Sequence, residues 1–426
     1  MSTKERYSWK NGPAKIKQHS LAKHQILRSY LSAYFQTLVP DGQPRDEFKL
    51  TLVDGFAGGG LYVHEDTKEL IKGSPLILLE AEKEADFKIN QNRAKPVRLD
   101  ITHFFIESES ATCAFLRDVL IKEGYQNRFG NSIHILNNRF QDKAKDIIDF
   151  IKRKSPRNGR SIFILDQFGY SEVPTSLVRQ ILSTLPGAEV ILTFAVDSIL
   201  TFADQKNFDN ALNKAEIPNF LKERSFQEIK DNDAHWRLYI QSGLYASLVR
   251  ACQARYFTPF FIRNKGGHGD YWLIHLSQHY RARDVMAAVH WKNWNYFIHY
   301  GGAGLDMFNM LGYDPSFDRQ FTGQGHLGFE FDDVARKASI EALMKEIPKF
   351  IYACEEGVSY EALFSSTCNG TPAYSSIYQE ALGQLCLQKE IEIVGTDGSI
   401  RRSGNNIKLS DRIVAPSQRQ LFSLDF

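Results

Sequence analysis

The chain has 426 residues, 43% of them hydrophobic and 24% charged, with a formal net charge of +2. That balance excludes a protein coated in basic charge but leaves room for a local basic face. No apolar run approaches bilayer length, and the N-terminal MSTKERYSWKNG lacks the apolar core of a secretory signal, so the expected location is the cytoplasm.

The first thirty residues carry Lys4, Arg6, Lys10, Lys15, Lys17, Lys23 and Arg28 against one acid, Glu5. From about Ile16, IKQHSLAKHQILRSYLSAYFQTL repeats its apolar residues at helical spacing, so a helix carries the later part of this charge. Lys15, Lys17 and Lys23 are candidate phosphate contacts, with a plain solvated face as the alternative.

KLTLVDGF, ITHFFIES, SIHILNNRF, SIFILDQFG and EVILTFAV read as five strands. The segments between them, such as PLILLEAEKEADFKINQ and KAKDIIDFIKRK, have helical periodicity. This alternation predicts a parallel sheet covered on both faces. Ser74 and Pro75 mark a sharp helix start, with the serine as cap. Residues 198–250 break the rhythm as a long, polar, helical insertion. TPFFIRN and YWLIHLSQ then predict an antiparallel pair joined through GGHGD.

From residue 338 three short helices, around IEALMKEIPKFIYA, SYEALFSST and PAYSSIYQEALGQLCLQ, precede a ribbon, IEIVGTDGSIRRSGNNIKLS. That is the order of a winged helix-turn-helix. Arg401, Arg402, Lys408 and Arg412 cluster near the wing, as phosphate contacts should. Glu341, Glu346, Glu355, Glu356 and Glu361 favour protein docking instead. The implied divisions are a basic helical segment (1–45), a Rossmann-like core (46–197), the insertion (198–250), the remaining core (251–330) and the winged helix (338–426).

Cys113, Cys252, Cys354, Cys368 and Cys386 are scattered, so neither a disulfide framework nor a thiolate metal cluster is expected. The run HLSQH spaces His275 and His279 four apart without the glutamate of a zinc motif. His24 and His279 remain candidates for the edge of an active site.

The chemistry concentrates in LTLVDGFAGGG, residues 50–60. So many glycines predict that something passes close to the backbone. Their spacing departs from G-x-G-x-x-G, and the next helix starts only near Ser74, so a pyrophosphate is poorly served. Asp54 ends the first strand and Glu107 the second. Two carboxylates would repel a phosphate but suit S-adenosylmethionine, which offers an ammonium to Asp54 and ribose hydroxyls to Glu107. Gly55, Phe56, Gly58 and Gly60 would complete this cofactor site. A simple turn, with Glu107 capping the next helix, is the alternative.

The fourth strand ends in ILDQFGY, near the D-P-P-Y with which exocyclic-amine methyltransferases end this strand. Asp166 would accept a hydrogen bond from the target amine, while Phe168 and Tyr170 would stack on an extruded base. Gln167 and Gly169 replace the prolines. An aspartate that merely caps the helix near Pro174 is the alternative. No Pro-Cys occurs in the chain, which excludes the nucleophile of a cytosine-C5 methyltransferase.

Taken together, KHQILRSYL, DGFAGGGLY followed by GSPL, FFIES, FILDQFG, YWLIHLSQHYRARDVM and PSQRQLF resemble the three-Cys-motif partner proteins (TcmP) over nearly the whole chain. The resemblance implies an α/β class I methyltransferase-like Rossmann fold with a helical insertion and a C-terminal winged-helix domain. It also implies S-adenosylmethionine as cofactor and a weaker likeness to ribosomal RNA adenine methyltransferases. A bacterial setting beside a radical-SAM-like partner that bears the cysteines is implied too, in DNA repair or phage defence. The family has D-P-F-G where this chain has D-Q-F-G. Two functions follow: methyl transfer to an exocyclic amine of a base, in DNA rather than RNA, or a non-catalytic adaptor that recruits DNA or its partner enzyme.

Overall fold

The computed structural model describes residues 7–41, 44–200, 204–221, 223–233, 236–262, 271–293, 297–299, 303–305, 329–401 and 404–416. The described residues form two compact units, one ending at Ile298 and one starting at His299.

The first unit opens with β1 (Ala14–Ile16) and α1 (Gln18–Leu38), then β2 (Glu47–Asp54). Two short strands, β3 (Leu61–His64) and β4 (Leu70–Lys72), come before α2 (Ser74–Asn90). Strands and helices then alternate: β5 (Arg98–Ile106), α3 (Ser110–Lys122), β6 (Ile133–Leu136), α4 (Phe140–Lys154), β7 (Ser161–Leu165), α5 (Thr175–Thr184) and β8 (Ala188–Phe194). The helical stretch that follows comprises α6 (Val196–Leu200), α7 (Gln205–Ala215), α8 (Phe226–Asn232) and α9 (Trp236–Cys252). An antiparallel pair, β9 (Tyr256–Ile262) and β10 (Tyr271–Ser277), leads into α10 (Tyr280–Lys292). The GGHGD run lies outside the described residues.

Strand composition explains the layers. β7 and β8 are buried along their whole length, the near-continuous apolar run of strands covered on both faces. In α4 the buried residues Phe140, Ala144, Ile147, Ile148 and Ile151 recur at three- and four-residue spacing, so one stripe meets the sheet while Lys145 and Lys152 face water and Lys154 turns inward to Asp100. Each large apolar side chain so buried contributes about 1.5–3 kcal/mol.

The sheet runs β6-β5-β2-β7-β8-β10-β9, parallel through β8, with β10 reversed between β8 and β9. Beyond β9, Phe297–His299 adds a short antiparallel strand. A parallel sheet with its seventh strand reversed between the fifth and sixth is the class I methyltransferase fold. The chain moves outward from β2 through β5 to β6, then returns to β7 on the other side of β2. The strand order therefore reverses between β2 and β7, where such sheets hold their ligands.

One local expectation is corrected, and one small sheet is added. Ser74 lies inside α2 and Gly73 is the N-cap, so the serine hydroxyl is left for another partner. The segment from Leu61 to Lys72 forms β3 and β4, and β1 pairs in parallel with β3. This small sheet draws the N-terminal segment back across the glycine turn.

In the second unit helices Asp333–Tyr352, Tyr360–Thr367 and Ser375–Leu387 are followed by a wing. The side chains of Asp332 and Ser359 cap the first two by accepting from the amides of Ala335 and Ala362. The wing's second long strand is Arg412–Val414, paired with both Glu392–Val394 and Val358–Ser359. It comes later than the ribbon expected from sequence, because Ile400 makes only a single bridge to Val394.

Candidate active site

Sheet register brings three acids together. Asp54, the last residue of β2, pairs with Phe105 of β5 on one side and Ile164 of β7 on the other. Glu107 and Asp166 each stand two residues beyond those partners, so they flank Asp54 at adjacent strand tips. Backbone bonds continue the ladder into the turn: Gly55 N–H donates to Ile164 O at 2.9 Å, and Ala57 N–H to Ile106 O at 2.9 Å.

Asp54 is wholly buried. Its Oδ1 accepts from the Phe56 amide at 3.2 Å, and its Oδ2 is buried without a hydrogen-bond partner. Burial pushes its pKa up to about 7, against the pull of Ser74 and the Phe56 amide, and the charges of Asp166 and Glu107 add to the rise. Glu107 is half-buried; its Oε2 accepts from the Gly58 amide at 3.2 Å and its Oε1 from the Glu109 amide at 2.8 Å. The second bond is the helix-capping role weighed against ribose binding, and Oε2 ties the acid to the glycine turn.

The close neighbour that the glycines demand proves to be Trp9. A Cβ on Gly59 would lie 2.4 Å from the indole Cδ1, and one on Gly58 would lie 2.9 Å from Cη2. The indole N–H donates to Leu61 O at 2.7 Å, Tyr62 packs edge-on against the ring, and Tyr7 packs tilted beside it. Gly55 is pressed on Leu165 and Phe140, and Gly60, at φ +76°, on Leu116. Internal packing thus accounts for Gly55, Gly58, Gly59 and Gly60, and Phe56 lies 6.5 Å, ring to ring, from Phe140. Sequence reading missed Trp9, since its partner on the far side of β1 is set by the β1–β3 pairing alone.

Asp166 meets an unexpected partner. Lys23 of α1 places its Nζ 2.5 Å from both carboxylate oxygens. Burial raises the Asp166 pKa, but the Lys23 charge and hydrogen bond, with help from Thr193, hold it below the ordinary range. Lys23, expected among the phosphate contacts, is turned inward with its side chain 11% exposed. His24 next to it is driven down to about 4 by burial, so it is neutral at physiological pH. His279 caps α10 by accepting from the Arg281 amide at 3.1 Å, away from these acids. His275 lies in a separate buried cluster with Glu189 and Tyr30.

Phe168 is 38% exposed at the lip beyond Asp166, and Tyr170 packs near Phe194 with ring centroids 6.3 Å apart. Gln167 is buried and pins the following loop, its Oε1 accepting from the amides of Glu172 and Val173 at 2.9 and 3.0 Å. Its side chain thereby supplies the rigidity that prolines give in D-P-P-Y.

The remaining basic candidates divide. Lys15 and Lys17 are exposed, Lys15 within 3.9 Å of Glu65 and Lys17 over the Tyr7 ring. Arg401 is committed to the buried Asp411 at 2.9 Å, and Arg412 donates to Glu356 O. Lys408 is exposed, and Arg402 lies outside the described residues. Helix Ser375–Leu387, placed to read a groove in a winged helix, carries no lysine or arginine, and its Glu380 pairs with Arg336 at 2.5 Å. Among the described residues no cluster of His, Cys, Asp and Glu is built for a metal, all five cysteines are free thiols, and no helix is long and apolar enough to cross a membrane.

Comparison with known proteins identifies the C-terminal module. Residues 312–398 match the family model described as GMT-like wHTH domain. No curated relative matches the chain in sequence. Among solved structures, Trm1 from Pyrococcus horikoshii, in complex with S-adenosyl-L-methionine, is similar at 10% identity and TM-score 0.31, over 92% of this chain and 91% of its own. The bifunctional kinase-methyltransferase WbdD is similar at 11% identity and TM-score 0.31, over 61% of this chain, which spans 39% of WbdD. The plantazolicin methyltransferase BamL, in complex with SAH, is similar at 10% identity and TM-score 0.24, over 60% of this chain and 85% of its own. These scores are too low to establish a shared fold, which the strand order establishes directly.

Proposed function

We propose that the chain binds S-adenosylmethionine and transfers its methyl group to an exocyclic amine of a nucleic acid base. The observation that carries this is the convergence of Asp54, Glu107 and Asp166 at three adjacent strand tips beside the switch point. An orphaned carboxylate oxygen on a fully buried Asp54 fits a cationic or hydrogen-donating ligand. The same acids repel the phosphates of a dinucleotide. Asp54 would hold the ammonium and Glu107 the ribose hydroxyls, with the backbone of Gly55, Phe56, Gly58 and Gly60 as the floor. The bound cofactor supplies an electrophilic methyl group.

The protein's own task is alignment. Asp166, kept ionised by Lys23, accepts a hydrogen bond from the target amine and fixes its direction. Phe168, exposed at the lip, and Tyr170 behind it offer rings to an extruded base. Of the described basic candidates, Lys15, Lys17 and Lys408 are exposed and could meet phosphates; Arg401 and Arg412 would first have to leave their present partners. A three-Cys-motif partner, a DNA rather than RNA target, and a role in DNA repair or phage defence rest on the TcmP resemblance and belong to this proposal.

Calorimetry with S-adenosylmethionine, S-adenosylhomocysteine and NAD tests the cofactor class, and binding of the first two but not NAD is expected. Labelled-methyl transfer to DNA and RNA should fall at least about 100-fold in Asp166→Ala while cofactor binding survives. One observation favours the second reading, a non-catalytic adaptor: both Asp166 oxygens are already taken by Lys23. Cofactor binding without transfer to any nucleic acid, with the partner present, would select it.

A further inference from the structure

In S-adenosylmethionine the ammonium and carboxylate of the methionyl end share one carbon. If Asp54 holds the ammonium, the carboxylate must lie beside it, in a crevice bordered by Glu107 and Asp166. Like charges repel at that range, so the carboxylate needs a hydrogen-bond donor of its own. Many donors nearby are already engaged. The amides of Gly55, Phe56, Ala57 and Gly58 donate to Ile164 O, Asp54 Oδ1, Ile106 O and Glu107 Oε2. The Trp9 indole N–H goes to Leu61 O, Tyr7 pairs with Ser20, Ser74 with Asp54, and Lys23 and Thr193 with Asp166.

The Tyr62 hydroxyl is still open. Tyr62 is the second residue of β3, and its ring is wedged against the glycine turn. A Cβ on Gly73 would lie 2.9 Å from its Cε2, and one on Gly58 would lie 3.4 Å from the hydroxyl. Tyr7, Trp9 and His24 also hold the ring, with centroids 5.2, 5.3 and 5.8 Å away. No described residue hydrogen-bonds this hydroxyl, although Gly58 next to it bonds Glu107. Burial drives the Tyr62 pKa well up, and Tyr7 with the charges of Asp166, Asp54 and Glu107 adds to the rise. The group is therefore a protonated donor close to all three acids.

We infer that the Tyr62 hydroxyl donates to the methionyl carboxylate of S-adenosylmethionine and so selects for an intact amino acid end. The amides of Gly59 and Gly60, which donate to no described residue, can serve the second carboxylate oxygen. The inference rests on the S-adenosylmethionine reading and adds a specificity residue to it.

The test is calorimetry on the full chain with S-adenosylmethionine and with decarboxylated S-adenosylmethionine, which keeps the ammonium and lacks only the carboxylate. A hydrogen bond to a charged group is worth about tenfold or more in affinity, so Tyr62→Phe should weaken S-adenosylmethionine by at least that factor. Affinity for the decarboxylated compound should stay within about twofold, so the ratio between the two ligands falls about tenfold. Tyr62→Phe keeps the ring, and its urea midpoint should match wild type because the hydroxyl has no partner in the fold. An unchanged affinity for S-adenosylmethionine, or an equal loss for both ligands, overturns the inference and leaves the cofactor reading intact. A lowered midpoint overturns it too, since the hydroxyl would then be spent inside the protein. Failure of wild type to bind S-adenosylmethionine overturns the cofactor reading, and the inference with it.

Discussion

Replacing Asp54 with asparagine keeps the size of a wholly buried side chain and removes its charge. In the folded chain burial lifts the Asp54 pKa from 3.8 to about 7, so across that interval the folded state holds a proton that the unfolded state has released. Stability from this proton is fully present below the unfolded value and is lost as pH rises through the folded one. At about 1.4 kcal/mol per pH unit, the loss sums to about 4 kcal/mol. Urea unfolding of wild type and Asp54→Asn between pH 4.5 and 8.5 measures it. The stability of the variant relative to wild type should climb by about 3 kcal/mol up to pH 7 and then level off. A cationic ligand favours the ionised form, so S-adenosylmethionine should release a proton on binding below pH 7. Wild-type affinity should weaken by up to about tenfold for each pH unit below that point, whereas the variant should bind weakly with no such slope. A stability difference that stays flat with pH would refute the buried-acid reasoning. A flat affinity in wild type would show that the ligand does not engage this acid.

Gly59→Ala drives a methyl group into the Trp9 ring and should cost about 1–3 kcal/mol in chemical denaturation, with partial recovery when Trp9→Leu makes room. Trp9→Ala removes a buried indole and should cost about 3–5 kcal/mol, read the same way. Arg401→Ala leaves Asp411 without its ion-pair partner, so the midpoint of thermal unfolding should fall. The salt dependence of nucleic acid binding should not change in that variant, whereas Lys15→Ala/Lys17→Ala should reduce its slope by one to two phosphate contacts.

The layered fold was legible because its signals are local. Runs such as SIFIL and AEVILTF are mostly apolar, α4 repeats its isoleucines at helical spacing, and the parallel alternation follows from these periods. Asp54, Glu107 and Asp166 could be named because strand ends are marked by the acid that stops an apolar run. The winged helix was recognisable from element order, but its second long strand came later than expected because pairing with Val358–Ser359, not ribbon length, fixes where that strand lies.

The sequence by itself determined the strands and helices of the parallel core and which acids stand at its strand tips, since each of these depends on neighbours a few positions away. Only the tertiary structure decided what touches those acids. Trp9 reaches the glycine turn through pairing of β1 with β3, about fifty residues along the chain, and Lys23 reaches Asp166 across 143 positions. A lysine on a helix reads the same in sequence whether it faces water or a carboxylate at a strand tip. Its partner is chosen by how α1 lies on the sheet, and that depends on long-range packing.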